Sequence, residues 1–153
     1  MVMLVKEILS LKGSQLYTIA PEGLLADAVS LMVGRDIGSL VVMQDGQMVG
    51  MLTFREVLAV LNAKGGTLTG VQVRDVMVDN PVCAHPEDTI DQMRSIMLEQ
   101  HIRYLPIREG DRLLGVLSFH DVAKAALKAA AFENRLLKMY IKNWPEPDPA
   151  DSK

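Results

Sequence analysis

Two seven-residue segments carry the side chains best suited to chemistry in this sequence. They run from Gly50 to Glu56 and from Gly115 to Asp121, and each holds a glycine, a hydroxyl residue three positions later and a carboxylate three positions after that. A hydroxyl residue followed three positions later by an acid is the pattern of a capping box, which satisfies free N–H groups at a helix start. Both segments are therefore predicted to open a helix.

The same geometry also suits a ligand. A helix start presents N–H groups and a positive dipole end to a phosphate, and the carboxylates of Glu56 and Asp121 could accept both hydroxyls of a ribose. Gly50 and Gly115 would let the backbone approach such a ligand closely. Capping alone and ligand binding both explain the two segments, so the sequence leaves both interpretations open.

The two segments belong to an internal repeat. Pro21 matches Pro86 and Val57 matches Val122, each pair 65 positions apart, and no gap is needed between them. Self-similarity at a fixed offset indicates that one structural unit occurs twice.

The same order of elements is predicted in both copies. A short apolar run before the proline indicates a strand at Leu16–Ile19 and at Val82–Ala84, and apolar residues at helical spacing follow. Two more apolar runs then flank a tight turn, and a second helix opens at Thr53 and at Ser118. The predicted fold class is α/β of the α+β type, with tandem β-α-β-β-α units packed around a pseudo-twofold axis and a cleft between them.

The polar, glycine-rich stretch Asn62–Gly70 separates the copies. We expect a first repeat with its N-terminal segment and linker over 1–70, a second repeat over 71–127 and an extension over 128–153. Apolar residues continue at helical spacing from Val122 to Ile141, which predicts a long helix that either meets a partner or folds back on its own subunit. The proline-rich end, Trp144–Lys153, is predicted to be extended.

A further group with binding potential is Gln100–Ile107, which contains Arg103. Its guanidinium is always charged and can contact two phosphate oxygens, although a solvated arginine at a strand end is the alternative. The equivalent residues of the first copy are Gly38 and Ser39, which carry no charge. The two candidate sites are therefore predicted to differ, with the one around Asp121 better equipped.

Composition narrows the class of protein and its partners. The chain has 153 residues, of which 49% are hydrophobic and 23% charged, as in a globular protein. A net charge of −3 provides no positive field for nucleic acid. With no long apolar span and no signal-peptide core, we expect no membrane association, and the single Cys83 favours a reducing cytoplasm.

Catalysis has little support in the sequence. His85, His101 and His120 lack the local spacing of a zinc site, and Cys83 falls in a predicted strand where a buried thiol is ordinary. Neither a P-loop nor a Rossmann glycine pattern is present. The sequence thus predicts a protein that is not an enzyme and has no metal site.

Taken together, these features resemble the cystathionine-β-synthase (CBS) domain pair, or Bateman module, over roughly Val5–Leu127. The resemblance rests on the doubled pattern, on Ile37–Val42 before a hairpin, on Arg74–Met77 leading into the second repeat, on Arg103–Ile107 and on the two Gly-x-x-Thr/Ser-x-x-acid segments. It implies a regulatory module that binds an adenosine ligand such as AMP, ADP, ATP, NAD or S-adenosylmethionine and needs no other cofactor. The alternative is a structural or assembly module whose clefts bind no ligand, and an enzyme acting on a nucleotide ranks third.

The resemblance also implies roles for individual residues. Asp121 would hold the ribose, and Arg103 would face the phosphate. The rest of that site would be Ser118 and His120 near the ribose or phosphate, and Ile102, Tyr104, Val82 and Asn80 around the adenine. The matching residues of the first repeat are Thr53, Arg55 and Glu56, with Ile37, Gly38 and Ser39 at the base wall. Glu56 departs from the usual aspartate, so the first site is predicted to be the weaker.

Stand-alone CBS pairs of this kind form disc-like homodimers. The resemblance therefore implies a homodimer, braced by the C-terminal helix and by Val5–Leu11. Because no effector domain is recognisable, the ligand-bound state would be passed to a separate effector protein.

Overall fold

The computed structural model describes residues 2–13 and 15–142. The chain starts with α1 (Val5–Lys12), and the first half follows with β1 (Thr18–Ile19), α2 (Leu25–Arg35), β2 (Ser39–Gln44), β3 (Gln47–Thr53) and α3 (Phe54–Ala63). A 3₁₀ turn (Val73–Asp75) and β4 (Val78–Asp79) lead into the second half, which contains α4 (Ile90–Glu99), β5 (Tyr104–Glu109), β6 (Arg112–Ser118) and α5 (Phe119–Lys142). The predicted mixed α/β fold is confirmed.

The repeat extends to individual backbone hydrogen bonds. The N–H of Phe54 donates to the carbonyl of Gly38 at 3.2 Å, and the N–H of Phe119 donates to the carbonyl of Arg103 at 2.7 Å. The antiparallel pairs β2–β3 and β5–β6 also have their register shift at equivalent positions, after Val42 and after Ile107. Each half is therefore the same unit in detail, which accounts for the pseudo-twofold arrangement.

The two halves differ at their edge strands. In the first half, β1 pairs with β2, and the N–H of Val41 donates to the carbonyl of Tyr17. The equivalent of Val41 is Pro106, which has no N–H to donate. The strand predicted at Val82–Ala84 is therefore wrong, since only Ala84 forms a single parallel bridge, to Ile107. The strand predicted at Leu16–Ile19 is shorter than expected, because only Thr18–Ile19 is regular.

The segment before each half packs on the other half. The N–H of Val5 donates to the carbonyl of Asp88 at 2.8 Å, and the N–H of Val73 donates to the carbonyl of Gly23, also at 2.8 Å. Val5 of α1 is buried with the second core, and Val73 is buried with the first. Each such apolar side chain contributes about 1.5–3 kcal/mol of burial, so the halves cannot separate without exposing both cores. The largest fully buried side chains are Met93, Met97, Leu105, Ile107 and Leu117 in the second core, and Leu25, Leu40 and Leu52 in the first.

The N-terminal helix, which is predicted to help brace a homodimer, packs against its own subunit. Val5 and Ile8 are buried within the chain, and only Leu11 of the predicted bracing segment is a strongly exposed large apolar residue. The apolar face of α1 is therefore used inside the subunit.

The long helix α5 changes character along its length. Val122 and Ala125 are buried in the second core, whereas Leu136 is 51% exposed. The other exposed apolar side chains of this part are Leu127, Phe132, Leu137, Met139 and Ile141. This half of the helix does not fold back on the subunit. The predicted extended end at Trp144–Lys153 lies outside the described residues.

None of the helices within residues 2–13 and 15–142 is both long and apolar enough to cross a membrane.

Candidate functional site

A cavity of about 1480 Å³ lies between the two halves. Val41 and Met51 of the first sheet and Val116 of the second line it, and β3 and β6 contact each other at this place. The predicted site residues that line it are Ile37, Gly38, Ser39, Thr53, Arg55 and Glu56 from the first half, and Val82, Ile102, Arg103, Tyr104, Ser118 and His120 from the second. The fold therefore brings twelve of the fourteen predicted site residues into one cleft.

Two predicted residues, Asp121 and Asn80, do not line the cavity. The carboxylate of Asp121 is directed at its own helix start and at a lysine, as described below. Asn80 is exposed, in a left-handed backbone conformation with φ of 47°.

Both helix starts form the capping box. The N–H of Ser118 donates to Oδ2 of Asp121 at 2.8 Å, and the N–H of Asp121 donates to Oγ of Ser118 at 3.1 Å. At α3, the N–H and the hydroxyl of Thr53 both donate to Oε2 of Glu56. The capping interpretation is therefore confirmed for both segments. Each cap uses one carboxylate oxygen, and within the described residues Oδ1 of Asp121 and Oε1 of Glu56 accept no hydrogen bond.

Lys12, which the sequence analysis missed, is the other partner of Asp121. Its ammonium lies 2.7 Å from Oδ2 of Asp121 and donates to the carbonyl of Val116 at 2.9 Å. In the first half, the corresponding edge of β3 pairs with β4. In the second half no strand pairs with this edge of β6 within the described residues, and the Lys12 ammonium donates to its Val116 carbonyl instead. No sequence signal links the two residues, because Lys12 precedes the repeat and lies 109 positions from Asp121.

The ionisation of Asp121 follows from these contacts. Burial by itself would raise the pKa of this carboxyl, but the Lys12 ammonium and the N–H of Ser118 outweigh burial and hold the pKa below its usual range. Asp121 is therefore a carboxylate at neutral pH, as an acceptor of sugar hydroxyls must be.

An aromatic cluster joins the two halves at the centre of the cleft. The rings of Phe54 and Tyr104 meet edge to face with centroids 6.3 Å apart, and the guanidinium of Arg103 lies 5.5 Å from the Phe54 centroid. The Tyr104 hydroxyl lies so close to Gly38 that a Cβ there would overlap it. Burial raises the pKa of Tyr104, and the nearby Arg103 offsets only part of this effect.

The glycines of the two segments have a different role from the predicted one. A Cβ on Gly50 would lie 2.8 Å from Sδ of Met77, and one on Gly115 would lie 2.9 Å from Cδ2 of Leu9. Neither glycine lines the cavity. Each glycine leaves room for a side chain of the segment that precedes the other half, Met77 at Gly50 and Leu9 at Gly115. The predicted close approach of these glycines to a ligand is wrong.

The cavity wall carries more cationic than anionic side chains. Arg55 and Arg103 are both exposed and form no ion pair within the described residues. The carboxylate of Glu56 is turned to Thr53. No group of three His, Cys, Asp or Glu side chains in the described part of the chain is placed to hold a metal ion. The charged side chains of the wall are thus Lys12, Arg55 and Arg103 against Asp36 and Glu56, and Lys12 is paired with Asp121.

A duplicated β-α-β-β-α unit with a cleft between its copies defines a tandem-domain architecture. The family model described as "CBS domain" matches residues 5–63 and 73–128, and the chain belongs to this family. The sequence-based resemblance is thus confirmed.

Relatives and solved structures agree with this assignment. The CBS domain-containing protein YhcV of Bacillus subtilis is 29% identical over 110 residues, which cover 72% of this chain and 78% of YhcV. The CBS-domain containing protein ATU1752 from Agrobacterium tumefaciens is 31% identical, with a TM-score of 0.76 over 80% of this chain and 98% of that one. The CBS domain structure NE2398 is 27% identical, with a TM-score of 0.78 over 83% and 99%.

More distant structures with the same fold contain ligands. CBSX2 is described in complex with AMP and is 24% identical, with a TM-score of 0.71 over 84% of this chain and 98% of that one. The CBS domain pair of MJ0100 is described in complex with 5′-methylthioadenosine and S-adenosyl-L-methionine and is 20% identical, with a TM-score of 0.70 over 84% and 99%.

Some relatives are longer enzymes. The chain spans 35% of the arabinose 5-phosphate isomerase KdsD of Yersinia pestis and 21% of the inosine-5′-monophosphate dehydrogenase of Korarchaeum cryptofilum. The similarity to this chain therefore covers only a minor part of each enzyme.

Proposed function

We propose that this CBS-domain protein is a regulatory module that binds an adenosine ligand, such as AMP, ADP, ATP or NAD, in the cleft between its halves. The observation that carries the proposal is one cavity that residues of both predicted sites line, with Arg103 at its wall and without an ion pair within the described residues. The AMP and S-adenosyl-L-methionine complexes of proteins with the same fold support this class of ligand.

The proposed pose uses the second half first. The ribose hydroxyls bind the Asp121 carboxylate, which does not line the cavity itself but contacts Lys12 and Ser118, which do. Oδ1 of Asp121 accepts no hydrogen bond within the described residues. A phosphate binds near the start of α5, where the dipole is positive and Arg103 supplies a fixed charge. The adenine packs between the half-buried Ile102 and Tyr104 and the exposed Val82.

The first half offers a weaker version of this site. Glu56 has its Oε2 held by two donors of Thr53, and its extra methylene moves the carboxylate outward relative to an aspartate. Gly38 replaces the arginine of the second half and is covered by the Tyr104 hydroxyl. An adenosine ligand therefore has fewer charged contacts in the first half.

The output of the module would go to other proteins. The exposed apolar part of α5 supports a homodimer contact, because Leu136 and Phe132 lie on one face of the helix and have no cover within the described subunit. We also propose that the protein is cytoplasmic and that it acts on a separate effector protein. A ligand would shift such an assembly only through different affinities for its states.

One observation favours a second candidate, an assembly module that binds no ligand. Asp121 and Glu56 already cap their own helices, which is a sufficient structural reason for their presence. The two candidates differ in whether the cleft binds a nucleotide.

Thermal unfolding of the full chain with AMP, ATP, NAD or S-adenosylmethionine separates the two candidates. Binding to the folded state should add about 2.7 kcal/mol of stability at a hundredfold excess over the Kd. Guanosine monophosphate serves as the control for base recognition. Absence of a shift with every adenosine ligand would favour the assembly module.

A further inference from the structure

One carboxylate oxygen of Asp121, the residue proposed to bind the ribose, already accepts a hydrogen bond from a cation of the same chain. Oδ2 of Asp121 accepts from the Lys12 ammonium at 2.7 Å and from the N–H of Ser118 at 2.8 Å. The Lys12 side chain is 39% exposed and that of Asp121 20% exposed, so the pair is not in the core. Lys12 lines the cavity, whereas Asp121 does not. Oδ2 already accepts these two hydrogen bonds, so a sugar whose two neighbouring hydroxyls bind one oxygen of this carboxylate each competes with Lys12.

Lys12 is held in place from two sides. It is the last residue of α1, whose end is set by Gly13 at φ of 94°, and its ammonium also donates to the free edge of β6 at the Val116 carbonyl. The body of α1 is anchored through the buried Val5 and Ile8. The ammonium can therefore leave Asp121 by rotation of its own flexible stem, without loss of the helix from the second core.

The first half has no such cation. The ion pairs within the described residues do not include Glu56, and the edge of β3 that corresponds to Val116 is paired with β4. Competition by a side chain of the protein is therefore specific to the Asp121 site.

On these observations, and resting on the proposed function, we infer that Lys12 is a built-in competitor of the ligand: a ribose diol that binds Asp121 must displace the Lys12 ammonium. The N-terminal helix thereby sets the affinity of the second site. Binding also frees the Lys12 ammonium at the end of α1, so the position of this charge would differ between the free and bound states.

Calorimetric titration with adenosine tests this inference, because adenosine carries the diol but no phosphate that a freed ammonium could contact. The variant Lys12→Met keeps the apolar stem and removes the charge. It should bind adenosine about fivefold more tightly than the wild type, the factor that corresponds to ~1 kcal/mol for a partly exposed ion pair. Lys6→Met is the matched control, since Lys6 lies on the same helix and pairs with Glu87 on the surface.

Two further measurements distinguish competition from a structural role. Without ligand, Lys12→Met should unfold at an equal or lower temperature than the wild type, so its stability and its affinity would change in opposite directions. The gain in affinity should also vanish in an Asp121→Asn background. If Lys12→Met fails to fold, Lys12→Gln replaces it in every comparison.

The outcomes separate this inference from the proposed function. Adenosine or AMP binding by the wild type, with no gain or with a loss in Lys12→Met, would overturn the competition and leave the proposed function standing. A similar gain in Lys6→Met would also overturn it. If none of adenosine, AMP, ATP, NAD and S-adenosylmethionine binds to the wild type or to Lys12→Met, the proposed function itself is wrong.

Discussion

The Tyr104 hydroxyl of the second half lies directly against Gly38 of the first. Gly38 occupies the position of Arg103, and Ser39 that of Tyr104, in the repeat. One half thus supplies a bulky side chain at the place where the other supplies none. Because Gly38 has no side chain, the starts of β2 and β5 approach each other without overlap.

Gly38→Ala should destabilise the protein by about 1–3 kcal/mol, because its Cβ would overlap the Tyr104 hydroxyl. In a Tyr104→Ala background the same change should cost much less. Gly34→Ala is the control, since a Cβ there meets no atom within 4 Å in helix α2. Chemical unfolding of the four variants measures this coupling, and equal costs of Gly38→Ala in both backgrounds would disprove it.

Asp121→Asn should weaken AMP binding by roughly tenfold or more, because a hydrogen bond to a charged group contributes about 1.5–3 kcal/mol. The asparagine can still accept from the N–H of Ser118, so the helix cap is kept. Glu56→Gln, the matched change in the first half, should alter affinity far less. Titration calorimetry compares the two, and equal losses would contradict the ranking of the sites.

Arg103→Gln should weaken AMP binding by about tenfold and leave adenosine binding nearly unchanged, since the guanidinium is proposed to contact phosphate. Arg94→Gln is the control, because Arg94 pairs with Asp91 on the surface of α4. The measurement is the ratio of the AMP and adenosine affinities. A comparable loss for adenosine would show that Arg103 acts on another part of the ligand.

The acid stability of the chain should depend on Asp121. Its pKa is lowered in the folded state, so its contribution is present above the ordinary value of about 3.9 and is lost as the pH falls through the folded-state pKa. Asp121→Asn should therefore lose less stability than the wild type between about pH 5 and pH 3. Urea unfolding across this range provides the test, and parallel curves would refute it.

Leu136→Lys should shift the chain from dimer to monomer, because a charge would be placed on the exposed apolar face of α5. Asn134→Lys adds the same charge on the opposite side of the helix and should leave the dimer intact. Sedimentation velocity over a range of concentrations reports the change. A dimer that survives Leu136→Lys would exclude this helix from the interface.

Much of the fold could be predicted because its signals are local and occur twice. The Asp45–Gly46 turn has both residues at positive φ, as a tight hairpin requires, and its signal is visible in the sequence. The strand at Val82–Ala84 was predicted from apolar residues alone. It fails because of Pro106, which lies on a different segment and cannot donate the ladder bond that Val41 donates in the first half.

The site was predictable only in part, because some of its contacts join residues that are far apart in the sequence. Repeat positions identify Ser118, Arg103 and Tyr104 as neighbours, and all three line the cleft. Lys12 precedes the repeat, and its contact with Asp121 depends on the packing of α1 against the second half. Such a long-range contact follows from tertiary structure and leaves no local pattern.

The most direct test of the account is a crystal structure of the full chain grown with AMP. We predict that the ribose hydroxyls lie within hydrogen-bond distance of both Asp121 oxygens, that the phosphate contacts Arg103 and that the Lys12 ammonium has left Asp121. Crystals in which AMP is absent from the cleft, while Asp121 still binds only Ser118 and Lys12, would contradict the central claim.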